Sequence, residues 1–508
     1  MPEYLSPGVY VEEIATGPRP IEGVGTSTAG FVGPAERGPE PPQLIASWLE
    51  YQRRYGGHDP NRSYLSYAIQ GFFDNGGVRC FVSRVVGTGA QVATLVIGEL
   101  TIWAIGRGAW GNLVEISIEP AKNKAADQFR VLIGYKRDPN ANPADNVFEI
   151  IEDFDNLSAT VGASNNAEIV INSGSNLVRV AWSNNPARPA DAGYAPMAGG
   201  NDGAQPLVPA DYIGTYNAII QTPQFPETEP LGRSNGLRAI EMVDEVAILV
   251  VPDEVRNGLE TLSDNVINQC ESLKDRFGVV SGVQGQSNVT NVGVTNDTSY
   301  AAYYYPWIRI YDAAFNTTRL VPPSGHIAGI MARTDITRGV HKAPANEVVR
   351  SARNLEFPVT AAMQDILNPQ GINCIRDFRS DGRGIRLWGA RTMSSDGMWK
   401  YVNVRRLFIF VEESIIEGTQ WVVFEPNDYG TWGDVTRTIT SFLNGVWRSG
   451  ALLGRTQQEA FFVRCDRTTM TQDDIDNGRL ICYIGIAPVK PAEFVIFRIS
   501  QKTAEADA

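Results

Sequence analysis

Ser324 and His326 are the pair of side chains in this sequence that most resembles catalytic machinery. A serine activated by a histidine can attack an acyl group, and many such serines lie in a Gly-x-Ser-x-Gly turn. Here the local sequence is Pro322-Pro323-Ser324-Gly325-His326, so both glycines of that turn are missing. We therefore expect no hydrolase at this position and no catalytic residue elsewhere.

The metal-binding residue types are scattered along the sequence. The three histidines, His58, His326 and His341, do not recur at the helical spacing of a metal site, and no Cys-x-x-Cys occurs. The cysteines are odd in number, which favours reduced thiols in a cytoplasm over a disulfide framework. We expect no metal. The five cysteines are Cys80, Cys270, Cys374, Cys465 and Cys482.

Two stretches invite a phosphate-binding interpretation, and neither sustains it. Gly23 to Gly30 has threonine at position 28, where a dinucleotide fingerprint needs glycine. Residues 246–251 predict a buried strand that ends at Pro252, with Asp253 capping a helix directly after it. That loop lacks glycine and presents acids, which would repel an anion. The apolar side chains of the expected helix are Val255, Leu259, Leu262, Val266, Cys270, Leu273 and Phe277.

Length and charge limit the class of protein further. The chain has 508 residues, enough for roughly two to four domains. With 44 basic and 57 acidic residues its net charge is −13, which argues against a nucleic-acid partner. No apolar run approaches the length of about 18 residues that a membrane helix needs, and Met1-Pro2-Glu3-Tyr4 does not begin a secretory signal. We expect a soluble structural or enzymatic protein with no cofactor.

Apolar periodicity predicts the elements that would position any site. A helix is expected around residues 65–73, a strand over 78–86, and short strands with Asn, Gly and Pro turns between 88 and 200. Tyr303 to Trp307 is an aromatic run without basic neighbours, which indicates core packing. Thr471 is expected to cap a helix that has Asp473 and Asp474 in its first turn.

Two helices are predicted in the last third of the chain. One contains Val404, Leu407, Phe408, Val411 and Ile415 and ends at Gly418. The other runs from Asp434 to about Gly450. Opposite its apolar side it shows a polar stripe, which is typical either of a solvated surface or of a contact with a partner. The buried side is expected to hold Val435, Ile439, Phe442, Val446 and Trp447, and the polar stripe is formed by Arg437, Ser441, Asn444 and Arg448.

Several sequence blocks resemble the contractile tail sheath family of myophages, R-type pyocins and extracellular contractile injection systems. The resemblance covers about 280 residues in the second half together with the amino terminus. The blocks that carry it include Arg319-Leu320-Val321-Pro322-Pro323-Ser324-Gly325-His326, Asn368-Pro369-Gln370-Gly371-Ile372-Asn373, Gly384-Ile385-Arg386-Leu387-Trp388-Gly389-Ala390-Arg391-Thr392, Phe424-Glu425-Pro426-Asn427 and Ala487-Pro488-Val489-Lys490-Pro491-Ala492-Glu493-Phe494.

The resemblance implies a mixed α/β fold with a sheath-type core, an inserted β-rich domain and extended terminal arms. The core would be built from both ends of the chain. The expected parts are a strand-exchange arm (1–22), the first part of the core (23–87), an outer β-rich insert (88–200), an α/β middle domain (201–345), a carboxyl-terminal core (346–488), and a linker strand with a tail (489–508).

The function implied is that of a structural subunit with no enzymatic activity. Subunits would stack as rings around an inner tube and contract to drive the tube through a target envelope. The competing hypothesis, a nucleotide- or phosphate-using α/β enzyme, would need a Gly-x-x-x-x-Gly-Lys-Ser/Thr loop, which the sequence lacks.

The resemblance also implies partners and contact residues. The expected partners are further copies of the chain or paralogous sheath subunits, the inner tube, the baseplate and the terminal cap. No direct contact with nucleic acid and no insertion into a membrane are expected. Assembly is expected in the bacterial cytoplasm, as part of a phage tail or tail-like particle. Strand exchange is expected at Val9, Tyr10, Val11, Ile14, Phe494, Val495, Ile496 and Phe497, and the tube contact at Arg437, Ser441, Asn444 and Arg448.

Overall fold

The computed structural model describes residues 20–123, 125–136, 148, 150–183, 186–215, 234–496 and 498. The chain divides into two compact units. The large unit comprises residues 25–409 with the described residues from 490 onward, and the small unit comprises residues 410–489 with residues 20–24. The domain boundaries expected from the sequence are finer than this division and stay a prediction.

The large unit begins with a strand–helix–strand segment. Ser47 caps the first helix, its side chain accepting from the Glu50 N–H. The second helix ends just before Gly76, whose φ of +99° suits glycine. The helix and the strand expected here are both present. The elements are β1 (Ala29–Gly33), β2 (Gln43–Ile45), α1 (Trp48–Tyr55), α2 (Leu65–Asp74) and β3 (Cys80–Arg84).

The next segment folds around a hydrophobic cluster of its own. The chain enters and leaves it side by side, because Gln91 bridges Asn201 and Thr94 bridges Ala198. Alternating apolar residues turn one face of each strand inward. One sheet has the order β10-β6-β7-β8 and the other β4-β5-β9. The elements are β4 (Thr94–Ile97), β5 (Leu100–Ala104), β6 (Val114–Pro120), β7 (Gln128–Tyr135), β8 (Ile150–Ser158), α3 (Ala167–Gly174), β9 (Val178–Trp182) and β10 (Ala192–Pro196).

Alternating helices and strands follow the insert. Tyr303, Tyr304 and Tyr305 lie on a fully buried strand, and Trp307 beside them is also buried, so the aromatic run is core. The elements are α4 (Pro209–Ile213), α5 (Gly236–Glu241), β11 (Ile248–Val250), α6 (Leu262–Leu273), β12 (Phe277–Ser281), β13 (Ala301–Tyr305), β14 (Ile308–Asp312), β15 (Thr317–Val321) and α7 (Ser324–Arg338).

The remainder of the large unit adds short strands and leads into a long helix that ends at Gly418, as the sequence predicted. The elements are β16 (Glu347–Val348), β17 (Ala352–Leu355), α8 (Ala361–Leu367), β18 (Ile372–Phe378), β19 (Gly384–Leu387) and α9 (Val402–Gly418). Strands β15, β14 and β17 form a separate sheet in that order.

A nine-stranded sheet forms the centre of the large unit, with the order β16-β19-β18-β13-β12-β11-β1-β3-β2. The six strands from β18 to β3 run parallel, whereas β2, β19 and β16 pair antiparallel at the edges. Neighbouring residues such as Phe31 and Val32 point into different hydrophobic clusters, so both faces of the sheet are covered. The mixed α/β class expected from the sequence is confirmed.

The small unit combines one long amphipathic helix with a short hairpin. Asp428 caps α10, and Thr471 caps α12 as predicted, its Oγ1 accepting from the Asp474 N–H (3.2 Å). Val24 joins this unit by donating its N–H to Ser414 Oγ (3.1 Å). The elements are α10 (Tyr429–Arg448), α11 (Gln457–Ala460), β20 (Phe461–Arg464), α12 (Gln472–Asp476) and β21 (Tyr483–Ile486), with β20 and β21 antiparallel.

The helix expected to start at Asp253 was predicted wrongly. Residues 252–255 form a single 3₁₀ turn, α6 begins only at Leu262, and Phe277 opens strand β12. The Asp253 carboxylate is buried and accepts bonds from distant groups, so it does not cap a helix. Those donors are Ser63 Oγ (2.6 Å), the Tyr64 N–H (2.8 Å) and Tyr212 Oη (2.9 Å).

Candidate interaction surfaces

The carboxyl-terminal segment is fastened to the large unit by Glu493. Arg391 donates from Nε to Oε1 and from Nη2 to Oε2, both at 2.7 Å. Asn368 Nδ2 (2.9 Å) and Tyr401 Oη (3.1 Å) donate to the same carboxylate. Although burial opposes it, these donors together lower the pKa of Glu493. The segment is therefore held at one residue by a charge-assisted cluster.

The apolar residues after this anchor are exposed. Phe494, Val495 and Ile496 expose 70%, 68% and 77% of their surface. None of the three is in a strand, although the sequence predicted one. A strand needs a hydrogen-bonded neighbour, and in the part of this single chain that is described no strand pairs with them. Phe497 falls outside the described residues, as do Val9, Tyr10, Val11 and Ile14 of the expected amino-terminal arm.

An open cleft of about 730 Å³ adjoins the anchored segment. One wall consists of residues 491–495, and the other lining residues include parts of 343–346, α8, Arg376 and the chain around Trp388 and Tyr401. Polar groups and apolar carbons share its lining. The cleft lies directly beside the unpaired segment.

Helix α10 carries the predicted polar stripe in the small unit. Val435, Ile439, Leu443 and Val446 are buried, and the Phe442 ring packs against Phe410 with centroids 5.9 Å apart. Trp447 is half-buried and donates its indole N–H to the Gly454 carbonyl (3.1 Å). The helix starts at Tyr429, five residues earlier than expected.

The stripe is less positive than its sequence suggests. Arg437, Ser441 and Arg448 are exposed and Asn444 is half-buried, so the four side chains share the outer face. Arg437 forms an ion pair with Asp434, one turn earlier on the same helix. Within the described residues, Arg448 forms no ion pair. Arg448 is thus the stripe's main source of unbalanced positive charge.

The serine and the histidine considered first are core residues. Both lie in α7, where residues two positions apart point to nearly opposite sides of the helix. The His326 ring packs against Gly71, where a Cβ would come within 2.4 Å of it. Burial lowers the pKa of His326 to about 4, so the ring is neutral. Within the described residues neither ring nitrogen nor Ser324 Oγ has a hydrogen-bond partner, which excludes an activated dyad.

His58 has a structural role as well. Its ring lies between Ser66 Oγ and Gln70 Oε1, each at 2.9 Å, and stacks on Tyr67. Among the residues the structure describes, no group of three histidine, cysteine or acidic side chains could hold a metal ion. In the same residues, no helix is long and apolar enough to cross a membrane.

Glu254 is an ionisable group that the sequence indicated only as one of the acids that would repel an anion. It lies buried in the 3₁₀ turn that follows β11, where Oε1 accepts from the Ser281 N–H (2.7 Å) and Oε2 finds no partner among the described residues. Burial raises the pKa of Glu254 from 4.5 to about 8. The side chain is therefore largely protonated at neutral pH.

The Arg391–Glu493 anchor was also missed. Both residues fall inside blocks that carry the family resemblance, but 102 positions separate them. A lone acid in a Pro-Ala-Glu-Phe segment next to an apolar run was the available signal. The identity of its partner could not be read from spacing, because only the fold brings the two together.

Comparisons with known families match the second half of the chain. The phage tail sheath protein central domain matches residues 232–393, and the phage tail sheath C-terminal domain matches residues 394–502. Together the two matches cover more than half of the sequence.

Curated relatives match over parts of their length. The tail sheath protein of Burkholderia phage BcepMu is 32% identical over 180 residues, covering 34% of this chain and 37% of that one. A putative prophage major tail sheath protein of Pseudomonas aeruginosa is 29% identical over 244 residues, covering 46% of this chain and 61% of the relative. The matched region thus spans less than two thirds of either relative.

Solved structures are similar over nearly the whole chain. The contracted helical sheath of the anti-feeding prophage is 25% identical with a TM-score of 0.59, covering 98% of this chain and all of the other. A sheath tail protein from Listeria innocua, 12% identical with a TM-score of 0.60, covers 92% of this chain and 96% of its own, and shares the fold.

The fold and the exposed terminal segment define a structural protein of the sheath type. The chain belongs to the phage tail sheath protein family. Because that family consists of structural tail proteins, the hypothesis of a nucleotide- or phosphate-using enzyme is rejected.

Proposed function

We propose that this chain is the repeating subunit of a contractile sheath, which polymerises as stacked rings around an inner tube and contracts to drive that tube through a target envelope. The observation that supports the proposal most directly is the exposed apolar run Phe494–Ile496 directly after the Glu493 anchor. An isolated soluble subunit gains nothing by presenting such a run, whereas a polymer can cover it.

The energetic argument favours pairing between subunits. Covering a large apolar side chain contributes about 1.5–3 kcal/mol, and an added strand also gains ladder hydrogen bonds. The Glu493 anchor fixes where the run begins, which reduces the entropy lost when it pairs. Phe494, Val495, Ile496 and Phe497 would form one strand of a sheet shared between subunits.

The amino-terminal arm is the partner we propose for that sheet. Its short pattern Val9, Tyr10, Val11 and Ile14 buries too little to offset the ordering of about 20 residues, at roughly 1–2 kcal/mol each. Docked on a neighbour it would gain both cover and backbone partners. The cleft beside residues 491–495 is a suitable place for such an added strand.

The remaining partners follow from the relatives. The anti-feeding prophage structures include a sheath in the contracted state and a baseplate, each with a chain similar to this one. We place this chain in the same kind of particle, with the tube facing Arg437, Ser441, Asn444 and Arg448 and with cap proteins at the end. Assembly would occur in the bacterial cytoplasm.

The work of contraction would come from assembly free energy. An extended sheath held in a higher-energy arrangement can contract when its subunits rotate and form better contacts, without nucleotide hydrolysis by this chain. The terminal strands would keep neighbours connected during the movement.

Electron microscopy of the purified full chain tests the proposal. We expect long tubes or stacked rings from the wild-type protein, and dispersed subunits from a Phe494→Ser, Val495→Ser double variant. Phe315→Ser is the matched control, because Phe315 is also an exposed aromatic residue but does not line the cleft at the anchor. A small closed oligomer from the wild type would refute the sheath, and normal tubes from the double variant would refute the exchanged strand.

A further inference from the structure

Two of the five cysteines meet across the hairpin of the small unit. Strand β20 ends at Arg464, which pairs with Tyr483 at the start of β21. The same register places Cys465 opposite Cys482, one position beyond the last paired residues. Sequence spacing alone does not link them, since the loop 466–481 separates the two thiols.

The ladder geometry suits a covalent link. The Ala487 N–H donates to the Ala460 carbonyl (2.9 Å), which makes Ala460 and Ala487 a hydrogen-bonded pair. Because hydrogen-bonded pairs recur at every second residue of an antiparallel ladder, Arg464 and Tyr483 also form one. Cys465 and Cys482 therefore occupy a pair of the non-hydrogen-bonded kind, where Cα atoms lie about 4.5 Å apart. Disulfides span Cα separations of about 4.4–6.8 Å, so the bridge needs little backbone movement.

The two thiols are close enough to affect each other. The neighbouring Cys482 adds to burial in raising the pKa of Cys465, whereas the Cys465 thiol and the Arg464 N–H oppose the effect of burial on the pKa of Cys482. Cys465 is buried among Trp432, Met470 and the apolar side chains of the loop, whereas Cys482 is half-buried. Reagents thus reach Cys482 first, and Cys465 lies behind it.

We propose that Cys465 and Cys482 form a redox-sensitive dithiol, open in a reducing cytoplasm and closed to a disulfide by a small-molecule disulfide oxidant. The Cys482 thiolate attacks the reagent and forms a mixed disulfide, releasing one reagent thiol. Cys465 then loses its proton and attacks the Cys482 sulfur, forming the protein disulfide and releasing the second reagent thiol. The protein loses two electrons and two protons, and the reagent gains them.

Closure would stiffen the loop that the hairpin carries. This loop holds α12 with its Thr471–Asp474 capping box, and Thr469 Oγ1 already donates to the Ile481 carbonyl (2.7 Å) near its neck. A disulfide at the neck restricts the open forms of the loop. Burial raises the pKa of both thiols, that of Cys465 to about 12, so both are mostly protonated at neutral pH and react slowly with an oxidant. The inference does not depend on the sheath function.

Disulfide mapping of the native full chain tests the inference. The protein is treated with oxidised glutathione, its remaining thiols are alkylated in denaturant, and it is digested with trypsin without reductant. Trypsin cleaves after Arg467 and Arg479, so a bridge would join two separate peptides. We expect that cross-linked pair, two hydrogen masses lighter than the two free peptides, with Cys80, Cys270 and Cys374 recovered alkylated.

Two variants and a second measurement complete the design. Cys482→Ser should abolish the cross-link, and Cys374→Ser, a buried cysteine of the large unit, should leave it unchanged. Hydrogen exchange of amides in 466–481 should slow on oxidation of the wild type and not of Cys482→Ser. Recovery of Cys465 and Cys482 as alkylated thiols, or of Cys482 as a lasting mixed disulfide, would overturn the proposal, as would bridges joining other cysteines.

Discussion

The anchor of the carboxyl-terminal segment can be tested by changing Glu493→Gln. The substitution keeps the shape of the side chain but removes the charge that balances Arg391, whose side chain is only 8% exposed. A hydrogen bond to a charged group contributes about 1.5–3 kcal/mol, and an ion left unpaired in a buried site costs more. Because the Glu493 side chain is 20% exposed and glutamine still accepts one hydrogen bond, we expect the free energy of unfolding to fall by about 2–3 kcal/mol.

A matched pair on the surface provides the control. Arg379 binds Asp377 through two nitrogens, as Arg391 binds Glu493, but the two side chains are 51% and 30% exposed. Exposed pairs contribute about 0–1 kcal/mol, so Asp377→Asn should have little effect. Urea unfolding followed by tryptophan fluorescence suits the comparison, because Trp388 lines the same cleft as Arg391 and Glu493.

A double-mutant cycle with Arg391→Gln then isolates the coupling between the two charges. The pKa of Glu493 is lowered in the folded chain. The stability that its carboxylate contributes is therefore present at pH values above the ordinary pKa of 4.5 and is lost as the pH falls through the folded pKa. Wild type and Glu493→Gln should therefore converge at acid pH. Equal losses in Glu493→Gln and Asp377→Asn, or a coupling near zero, would refute the idea that burial makes this anchor strong.

Four further predictions concern assembly and stability. Deleting residues 1–20 should leave a folded subunit that builds no stable contractile sheath, and long contractile sheaths in micrographs would contradict this. The double substitution Arg437→Glu with Arg448→Glu should leave thermal stability unchanged, since both side chains are exposed, but should hinder assembly on the tube. Normal extended particles at low and moderate salt would show that the polar stripe of α10 is only a solvated surface. Replacing residues 90–200 by a short linker should preserve tubular assembly, because that segment has its own hydrophobic cluster, and loss of all folding would show that the boundary is misplaced. Glu254→Gln should raise the free energy of unfolding by about 3 kcal/mol at pH 7 and leave it unchanged near pH 4.5. Burial raises the pKa of Glu254 from 4.5 to about 8 in the folded chain, so the stability that the protonated side chain contributes is fully present below pH 4.5 and is lost as pH rises through 8. Equal effects of the substitution at both pH values in urea unfolding would count against this prediction.

The sequence determined the elements whose signals are local. The apolar spacing of α9 and its end at Gly418, the amphipathic pattern of α10, and the Thr471 cap of α12 all appear as predicted. Each depends on residues within one or two turns of each other, so neighbouring side chains suffice to specify them. The motif blocks likewise sufficed for the family.

Tertiary structure alone decided which distant groups meet. Asp253 looked like a helix cap in the sequence, but its carboxylate binds Ser63 and Tyr64, which lie some 190 positions earlier in the chain. The Arg391–Glu493 anchor and the Cys465–Cys482 contact have the same origin, since sheet register and chain topology bring their members together. A carboxylate or a thiol offers the same chemistry to any partner within reach. Sequence spacing therefore shows that such a group is present, and only the folded chain determines what it binds.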